Sequence, residues 1–294
     1  MRAERMKYAV VFAALFTALS FPVFTLNWPS EEAVLYRNFG SNVNGMPALG
    51  IVFSGGTDVL ASESGEVIFS RNKKDTASRL PSPLGAWTAV DHGDGLISIY
   101  SRYDDKDGGF NVSHVEKQQP IASAGTSGWS SLEGFYFIIY DRRERRWINP
   151  EMIITPLRET RPPQILSVDL LNNQGILMQS RSLNQGRYTV IVNSYIPAAV
   201  PSPQPVPQNS APQRIVCSVN GAEVGSLNFE AVSARDGTLM VYRNGLVPAR
   251  QIYAIYPAYE VAEVFLSRGQ VNLEVIVQDI TGNSRSVIIR LFIN

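Results

Sequence analysis

The chain has 294 residues, 45% of them hydrophobic, and its 26 basic and 26 acidic residues give a formal net charge of zero. This length and apolar content suffice for two domains with cores of their own, so wholesale disorder is excluded. A neutral chain also lacks the basic field that phosphate binding needs, and we therefore expect no nucleic-acid partner.

The first residues predict a signal peptide over 1–24. Basic residues precede an apolar run from Tyr8 to Phe24, and Ala18-Leu19-Ser20 has the small-x-small pattern of a cleavage site. An uncleaved anchor stays open as an alternative, because the run is close to the lower limit of about 17 residues for a membrane span. We expect an exported protein of the periplasm or cell envelope, which contacts a membrane only through this segment.

Residues 56–67, GTDVLASESGEV, predict two short strands joined by a turn. Apolar and polar residues alternate there, and Gly65 lies where a chain reversal would need a positive φ. Further short runs, each bounded by turn residues, extend the pattern and predict a compact antiparallel β domain over 25–160. These runs are Trp87–Val90, Leu96–Tyr100, Pro120–Ala124 and Phe135–Tyr140.

An ordered series of motifs in this segment resembles the M23 (LytM, lysostaphin-like) peptidoglycan endopeptidase family. The resemblance implies an M23/LytM-like antiparallel β fold, a catalytic zinc ion and a groove that holds a peptide stem or cross-bridge of the cell wall. The series consists of Gly56-Thr-Asp-Val-Leu-Ala61, Gly65-Glu-Val67, Val90-Asp-His-Gly-Asp-Gly95, Ile97–Tyr100, Val115–Ile121, Gly125-Thr-Ser-Gly128 and Ile148-Asn-Pro150.

The family's zinc ligands and catalytic histidines are replaced in this sequence. A catalytic zinc needs about three His, Asp or Glu ligands and an open position for water. The resemblance places the family's metal-binding and catalytic groups at positions of this chain that are none of these types: Ala48, Val52, Arg102, Gly134 and Tyr136. We therefore predict no metal, no cofactor and no catalytic residues, that is, a pseudoenzyme whose 25–160 domain lacks zinc ligands.

A count of histidines points the same way. The chain has two, and His92 belongs to the Asp-His-Gly turn that is structural in the family. An active enzyme with displaced ligands would have to use His114 and the acidic loop of Asp104, Asp105 and Asp107, a loop whose composition is typical of a solvated turn.

Four residues predict a ligand groove at the altered site: Tyr100, Arg102, Trp129 and Tyr136. Arginine forks onto carboxylates, and aromatic rings give a large, rigid contact area. As an alternative, Tyr100 and Trp129 complete the core. Arg102 does not fit a core position, since an unpaired buried guanidinium is costly.

A second domain is predicted over 161–294, after Arg161-Pro162-Pro163. Its alternating runs resemble an immunoglobulin-like β-sandwich, which makes the whole chain all-β. Residues 197–212 contain six prolines and predict an exposed loop inserted between strands. The predicted strands are Gln164–Leu171, Gly186–Val192, Arg214–Val219, Leu227–Ala231, Leu239–Tyr242, Val261–Leu266, Val271–Gln278 and Ser286–Phe292.

Three functions follow from these features. The first is a non-catalytic envelope protein that binds peptidoglycan or a cell-wall hydrolase and regulates or scaffolds wall remodelling. The second is an active M23-family metalloendopeptidase with displaced ligands, which the histidine count opposes. The third is a structural or adhesive envelope protein whose second domain carries the function.

Overall fold

The structure is a computed structural model that describes residues 26–56, 58–72, 81–104, 112–155, 161–198, 209–255 and 257–294. The predicted signal peptide, Asp105, Asp107 and most of the Pro-rich loop lie outside the described residues. Within those ranges, no helix is long and apolar enough to cross a membrane.

The first half of the chain is built from short antiparallel strands, as its alternating sequence predicted. A 3₁₀ turn, Pro150–Met152, ends it, with Pro150 in the first turn and the Asn149 side chain accepting from the Glu151 amide. In chain order the strands are β1 Val34–Arg37, β2 Asn42–Val43, β3 Met46–Pro47, β4 Ile51–Ser54, β5 Asp58–Leu60, β6 Gly65–Arg71, β7 Ala86–Asp91, β8 Leu96–Tyr103, β9 His114–Val115, β10 Pro120–Ser123, β11 Gly134–Asp141 and β12 Arg146–Ile148.

Strand β11 is the centre of this half, and its sequence GFYFIIYD explains why. A nearly continuous apolar run buries both faces of a strand, and six of the eight residues of β11 are buried. It pairs with β4 and β12 at its two ends on one side and with β8 on the other. The core beneath it contains Phe53 stacked on Phe135 with ring centroids 4.9 Å apart.

Residues 56–67 do not form the predicted hairpin. Strand β5 pairs with β10, whereas β6 pairs with β7 and β9. Gly65 is not among the glycines with a positive φ. A Cβ atom there would lie 2.5 Å from the carbonyl oxygen of Asp91, so Gly65 is required for the close approach of β6 to β7 and not for a chain reversal.

The second half is a two-layer β structure, and all eight of its predicted strands are present. Its described residues form the strands and the short helix β13 Gln164–Asn172, β14 Ser182–Leu183, β15 Gly186–Tyr195, β16 Arg214–Val219, β17 Ala222–Arg235, β18 Thr238–Arg243, β19 Leu246–Pro248, α1 Ala249–Ile252, β20 Tyr259–Leu266, β21 Gly269–Gln278 and β22 Ser284–Ile293.

The two layers pack through alternating apolar side chains. One layer has the order β13-β15-β20, and the other runs β14-β22-β21-β16-β17. Strand β21 shows the pattern clearly, since Val271, Leu273, Val275 and Val277 are buried while Asn272 between them is exposed. The residues that flank most of the Pro-rich segment lie side by side, because Ile196 and Ser210 exchange backbone hydrogen bonds of 2.8 and 2.9 Å.

The halves are joined by a continuous sheet. Strand β12 of the first half pairs with β17 of the second, with Trp147 opposite Val232. Strands of both halves thus share one sheet, in which the order β14-β22-β21-β16-β17-β12-β11-β8-β7-β6-β9 crosses the junction. Phe39, fully buried, belongs to the apolar core of the second half, and Met46 and Leu49 pack against that core.

Asn38 adds a buried polar connection between the halves. Its Nδ2 donates to the Ala211 carbonyl at 3.0 Å, and its Oδ1 accepts from the Ala211 amide at 2.9 Å and from the Ser41 hydroxyl at 2.6 Å. The Tyr253 hydroxyl also donates to the Gly40 carbonyl across this junction. The segment that precedes β4 is therefore fixed by the second half of the chain.

Candidate functional site

Strand pairing brings two of the altered positions, Val52 and Tyr136, together. Val52 on β4 lies opposite Tyr136 on β11, and Tyr136 lies opposite Ser101 on β8. On the other side of β4, Val52 lies opposite Arg37 of β1. Residues paired across antiparallel strands share a face of the sheet, so this row forms the floor of the site.

Tyr136 occupies the centre of the site. Its hydroxyl accepts a hydrogen bond of 3.1 Å from the Leu49 amide, and Leu49 lies in the segment that the second half fixes. Burial raises the pKa of Tyr136 to about 12, although Arg102, the Leu49 amide and Arg37 all favour the phenolate. The phenol is therefore neutral at physiological pH and acts as a hydrogen-bonding group.

Arg102 stacks on this ring. Its guanidinium carbon lies 4.8 Å from the ring centroid of Tyr136, a cation–π contact. Burial, and then the neighbouring charge of Arg37, lower the pKa of Arg102. Its Nε is buried and has no hydrogen-bond partner among the described residues.

The backbone of Arg102 is unusual as well. Its φ is +65°, a left-handed conformation that is uncommon for residues other than glycine. The Arg102 amide donates to the Leu84 carbonyl at 2.8 Å, and the register of β7 and β8 shifts beside it, between Ala86 and Trp87. This bulge brings the guanidinium over Tyr136.

The site does not fit a zinc ion. At the positions where the family resemblance places zinc ligands and catalytic histidines, the chain has a methyl group at Ala48, an isopropyl group at Val52, no side chain at Gly134, a phenol at Tyr136 and a guanidinium at Arg102. Two guanidinium groups, of Arg37 and Arg102, influence the same phenol, and their positive charge opposes a divalent cation. Among the described residues, no group of three or more His, Cys, Asp or Glu side chains could hold a metal.

The predicted groove residues divide between the site and the core. Tyr100 is fully buried, and its ring lies 5.4 Å from that of Phe137 in the core, as the alternative interpretation expects. Trp129, in contrast, is 72% exposed. Its amide donates to the Pro83 carbonyl at 3.1 Å, next to the Leu84 carbonyl that holds Arg102, so Trp129 stands on a loop that adjoins the site.

Two contributors were missed by the sequence analysis. Arg37 joins the site through the pairing of β1 with β4, and Leu49 joins it through its backbone amide. Arg37 belongs to no motif. Leu49 lies between the altered positions Ala48 and Val52, but its residue type gives no sign that its backbone amide contributes. Only the pairing of β1, which is distant in sequence from β8 and β11, could have indicated Arg37.

His92 belongs to a separate, buried network and not to the site. Its Nδ1 lies 2.9 Å from the Ser64 carbonyl, and its Nε2 lies 2.7 Å from the Ser98 hydroxyl. A carbonyl can only accept, so Nδ1 carries a proton and the neutral ring accepts at Nε2. The Ser98 and Tyr100 hydroxyls share a further 2.9 Å hydrogen bond. The imidazole thus ties the turn after β7 to the strands around it.

The burial of His92 predicts a pH-dependent stability. Burial lowers its pKa below the ordinary value of 6.5, despite the opposing effects of the Ser64 carbonyl, Glu63 and Asp91. Below pH 6.5 the unfolded chain therefore binds a proton that the folded chain does not, and the free energy of unfolding falls as the pH falls. Urea denaturation between pH 5 and 8 measures this.

Replacement of the imidazole supplies the control for that experiment. His92→Gln should flatten the slope of unfolding free energy against pH, because a carboxamide does not titrate in this range. An equal slope in His92→Gln and the unaltered protein would show that His92 is not the titrating group.

Comparison with known proteins agrees with the geometry of the first half. The model of peptidase family M23 matches residues 46–150, which confirms an M23-like domain in that part of the chain. A second family model, whose description names no function, matches residues 162–294. No curated protein matches the chain.

Solved structures also resemble part of the chain. A catalytic-domain mutant of the prophage-encoded M23 protein EnpA from Enterococcus faecalis is 18% identical, covers 40% of this chain and 87% of its own, and has a TM-score of 0.33. A chain of the SpoIIQ–SpoIIIAH pore-forming complex is 22% identical, covers 44% of this chain and 90% of its own, and has a TM-score of 0.34. The catalytic domain of lysostaphin from Staphylococcus simulans is 20% identical, covers 37% of this chain and 78% of its own, and has a TM-score of 0.29. These values support no conclusion about activity or partners.

Proposed function

We propose that this protein is a non-catalytic M23-like protein of the cell envelope, which binds peptidoglycan or a cell-wall hydrolase and regulates or scaffolds wall remodelling. The observation that carries the proposal is the Arg102–Tyr136 stack, which stands where the resemblance places catalytic and ligand histidines. In this proposal the chain is exported to the periplasm or cell envelope, and its second half is an immunoglobulin-like sandwich.

The chemistry of the stack favours binding over hydrolysis. Arg102 is half-buried, and a guanidinium donates hydrogen bonds to a carboxylate or carbonyl. Hydrolysis needs a group that activates water, and the phenol of Tyr136, whose pKa is about 12, is a poor base at neutral pH. The site therefore supports recognition of a peptide-like ligand without its cleavage.

Removal of the guanidinium is the direct test of this function. For protein from Asn27 onward, we expect Arg102→Gln to reduce co-sedimentation with purified insoluble peptidoglycan about tenfold or more, since a hydrogen bond to a charged group contributes about 1.5–3 kcal/mol. Arg268→Gln is the matched control, because Arg268 is an exposed arginine in the second half of the chain, and it should leave binding unchanged.

Two measurements on the same sample separate the three candidate functions. These are the zinc content and the digestion of peptidoglycan, with an active M23 domain as the positive control. The proposal expects wall binding without stoichiometric zinc and without digestion. Metal-dependent digestion would establish the displaced-ligand enzyme instead. Wall or hydrolase binding that survives Arg102→Gln would favour the structural or adhesive function of the second half.

A further inference from the structure

Strand β22 has one side without a neighbouring strand along most of its length. It pairs with β21 in a register that has no bulge, but β14 covers only Phe292 and Ile293 on the other side. There the Phe292 amide donates to the Arg181 carbonyl at 2.8 Å. Backbone groups alternate in direction along a strand, so the even-numbered residues of β22 direct theirs away from β21. We name the four uncovered ones the β22 edge: Ser284, Ser286, Ile288 and Arg290.

The β22 edge is accessible and unpaired. Its four residues are exposed, and the exposed fraction of Ile288 is 60%. Neither their amides nor their carbonyls form a hydrogen bond with another residue in the part of the chain that the structure describes. A row of free backbone donors and acceptors at the side of a sheet is a template for pairing with another strand.

Two other strands at the sides of the described sheets are protected in ways that β22 is not. At β13 the register shifts between Ile165 and Ser167, and the Met178 amide donates to the Leu170 carbonyl, so the following loop covers part of that strand. The three-residue β19 ends in Pro248. Short strands, bulges, prolines and lysines are the usual protection of sheet edges. The ten residues of β22 include neither proline nor lysine and pair without a bulge.

The charge of β22 favours an acidic neighbour. Residues 284–294 contain Arg285 and Arg290 and no acid. Both arginines are exposed, and neither forms an ion pair with a described residue. Glu274 of β21 lies opposite Ile288, on the far side of β22 from the edge. Opposite charges stabilise the pairing of neighbouring strands and like charges oppose it. A second copy of this chain, which would bring the same two arginines, is therefore less favourable than an acidic strand.

The two faces of β22 define the side-chain pattern of such a strand. Val287 and Ile289 face the apolar core, because their partners on β21 are buried, yet they are only half-buried themselves. Apolar residues of an added strand would cover them. On the outer face, acidic residues of that strand would lie beside Arg290. An extended segment that alternates apolar and acidic residues satisfies both faces.

We propose that the β22 edge binds an extended acidic segment of a partner protein, which joins the sheet as a further strand. Main-chain hydrogen bonds supply the affinity of this mode of recognition, and alternate side chains supply its specificity. Here the specificity comes from carboxylates beside Arg285 and Arg290. The surface goes beyond the proposed function, since it lies in the second half of the chain and does not include Arg102 or Tyr136.

Fluorescence polarisation on the full chain tests the proposal. The probes are two fluorescein-labelled octapeptides, one of alternating valine and glutamate and one of alternating valine and lysine. We expect the glutamate peptide to bind and the lysine peptide to bind about tenfold more weakly or worse, since it brings like charges to the arginines. Equal binding of the two peptides, or no binding of either, would overturn the proposal.

Ser286→Pro locates the binding on β22. The Ser286 amide is directed away from β21, so proline leaves the ladder with β21 intact, while it removes a donor from the edge and its ring obstructs a neighbouring strand. We expect the affinity for the glutamate peptide to fall about tenfold or more. Ser286→Ala keeps the amide and should leave the affinity unchanged. Circular dichroism checks that both variants are folded. Unchanged affinity in folded Ser286→Pro would show that the peptide binds elsewhere.

Charge variants give a second test that does not depend on proline. Arg285→Gln combined with Arg290→Gln should weaken binding of the glutamate peptide about threefold or more. Arg235→Gln is the matched control, because Arg235 is exposed on β17, which β16 and β21 separate from β22, and binding should not change. If the double variant bound the glutamate peptide as tightly as the unaltered protein, the proposal would be wrong.

Three comparisons separate this proposal from its alternatives. Loss of peptide binding in Arg102→Gln, with Ser286→Pro unaffected, would place the peptide at the Arg102–Tyr136 site and overturn the proposal. Failure of peptidoglycan binding, with peptide binding that still responds to Ser286→Pro, would refute only the proposed function. Sedimentation velocity tests for a second copy: a dimer that Ser286→Pro dissociates, without binding of the glutamate peptide, would mean that β22 pairs with itself and would also overturn the proposal.

Discussion

Gly134→His, which introduces the imidazole that the family resemblance places at this position, is expected to unfold the protein or to destabilise it by about 3 kcal/mol or more. A Cβ atom at Gly134 would lie 1.9 Å from the Phe53 carbonyl oxygen and 2.9 Å from its carbonyl carbon. These are backbone atoms of β4, which the pairing of Phe135 with Phe53 holds in place. Urea denaturation followed by circular dichroism measures the loss.

Two further variants isolate the cause. Gly134→Ala adds only the Cβ atom and should cause most of the loss. Gly186→Ala is the matched control, because a Cβ atom there would meet nothing closer than 3.9 Å and should change the free energy of unfolding by less than about 1 kcal/mol. If Gly134→His retained full stability, β4 and β11 would have to lie farther apart than the structure shows.

Asn38→Ala is expected to destabilise the whole chain by about 3–4 kcal/mol. The substitution leaves the Ala211 amide, the Ala211 carbonyl and the Ser41 hydroxyl without their shared partner, in a place where Asn38 itself is 6% exposed. An unsatisfied buried group costs about 1–3 kcal/mol. Because the connection lies between the halves, we expect the midpoint of urea unfolding to fall for both of them together.

Ser41→Ala provides the comparison, since it removes only the 2.6 Å hydrogen bond to Asn38. Its cost should be about 1 kcal/mol. Should Asn38→Ala change stability by no more than Ser41→Ala, the Ala211 groups would have to be satisfied by water, and Asn38 would not connect the halves.

Most strands could be predicted from the sequence, because alternation and turn residues are local signals. Strands such as β16, Arg214–Val219, begin and end where the pattern predicted. The partners of strands are a different matter. Residues 58–60 pair with β10 instead of their sequence neighbours, since pairing depends on contacts between segments that are far apart along the chain. That the second half is immunoglobulin-like stays a prediction.

The candidate site was predictable in type and less so in detail. The motif order indicated that Arg102 and Tyr136 stand at altered positions, and the structure stacks them. The sequence left two positions open for the aromatic residues, and the structure places Tyr100 in the core and leaves Trp129 exposed. Burial on a sheet follows from which face a strand presents, and a bulge such as the one at Arg102 changes that face locally.

The continuous sheet across the junction has a consequence for truncation. A fragment that ended before Arg161 would lose β17, so β12 would become an open edge strand, and Phe39 would lose the apolar core in which it is buried. Exposed edges and apolar patches of this kind promote aggregation. We therefore expect the 46–150 segment that the M23 family model matches to aggregate when it is produced without the second half of the chain.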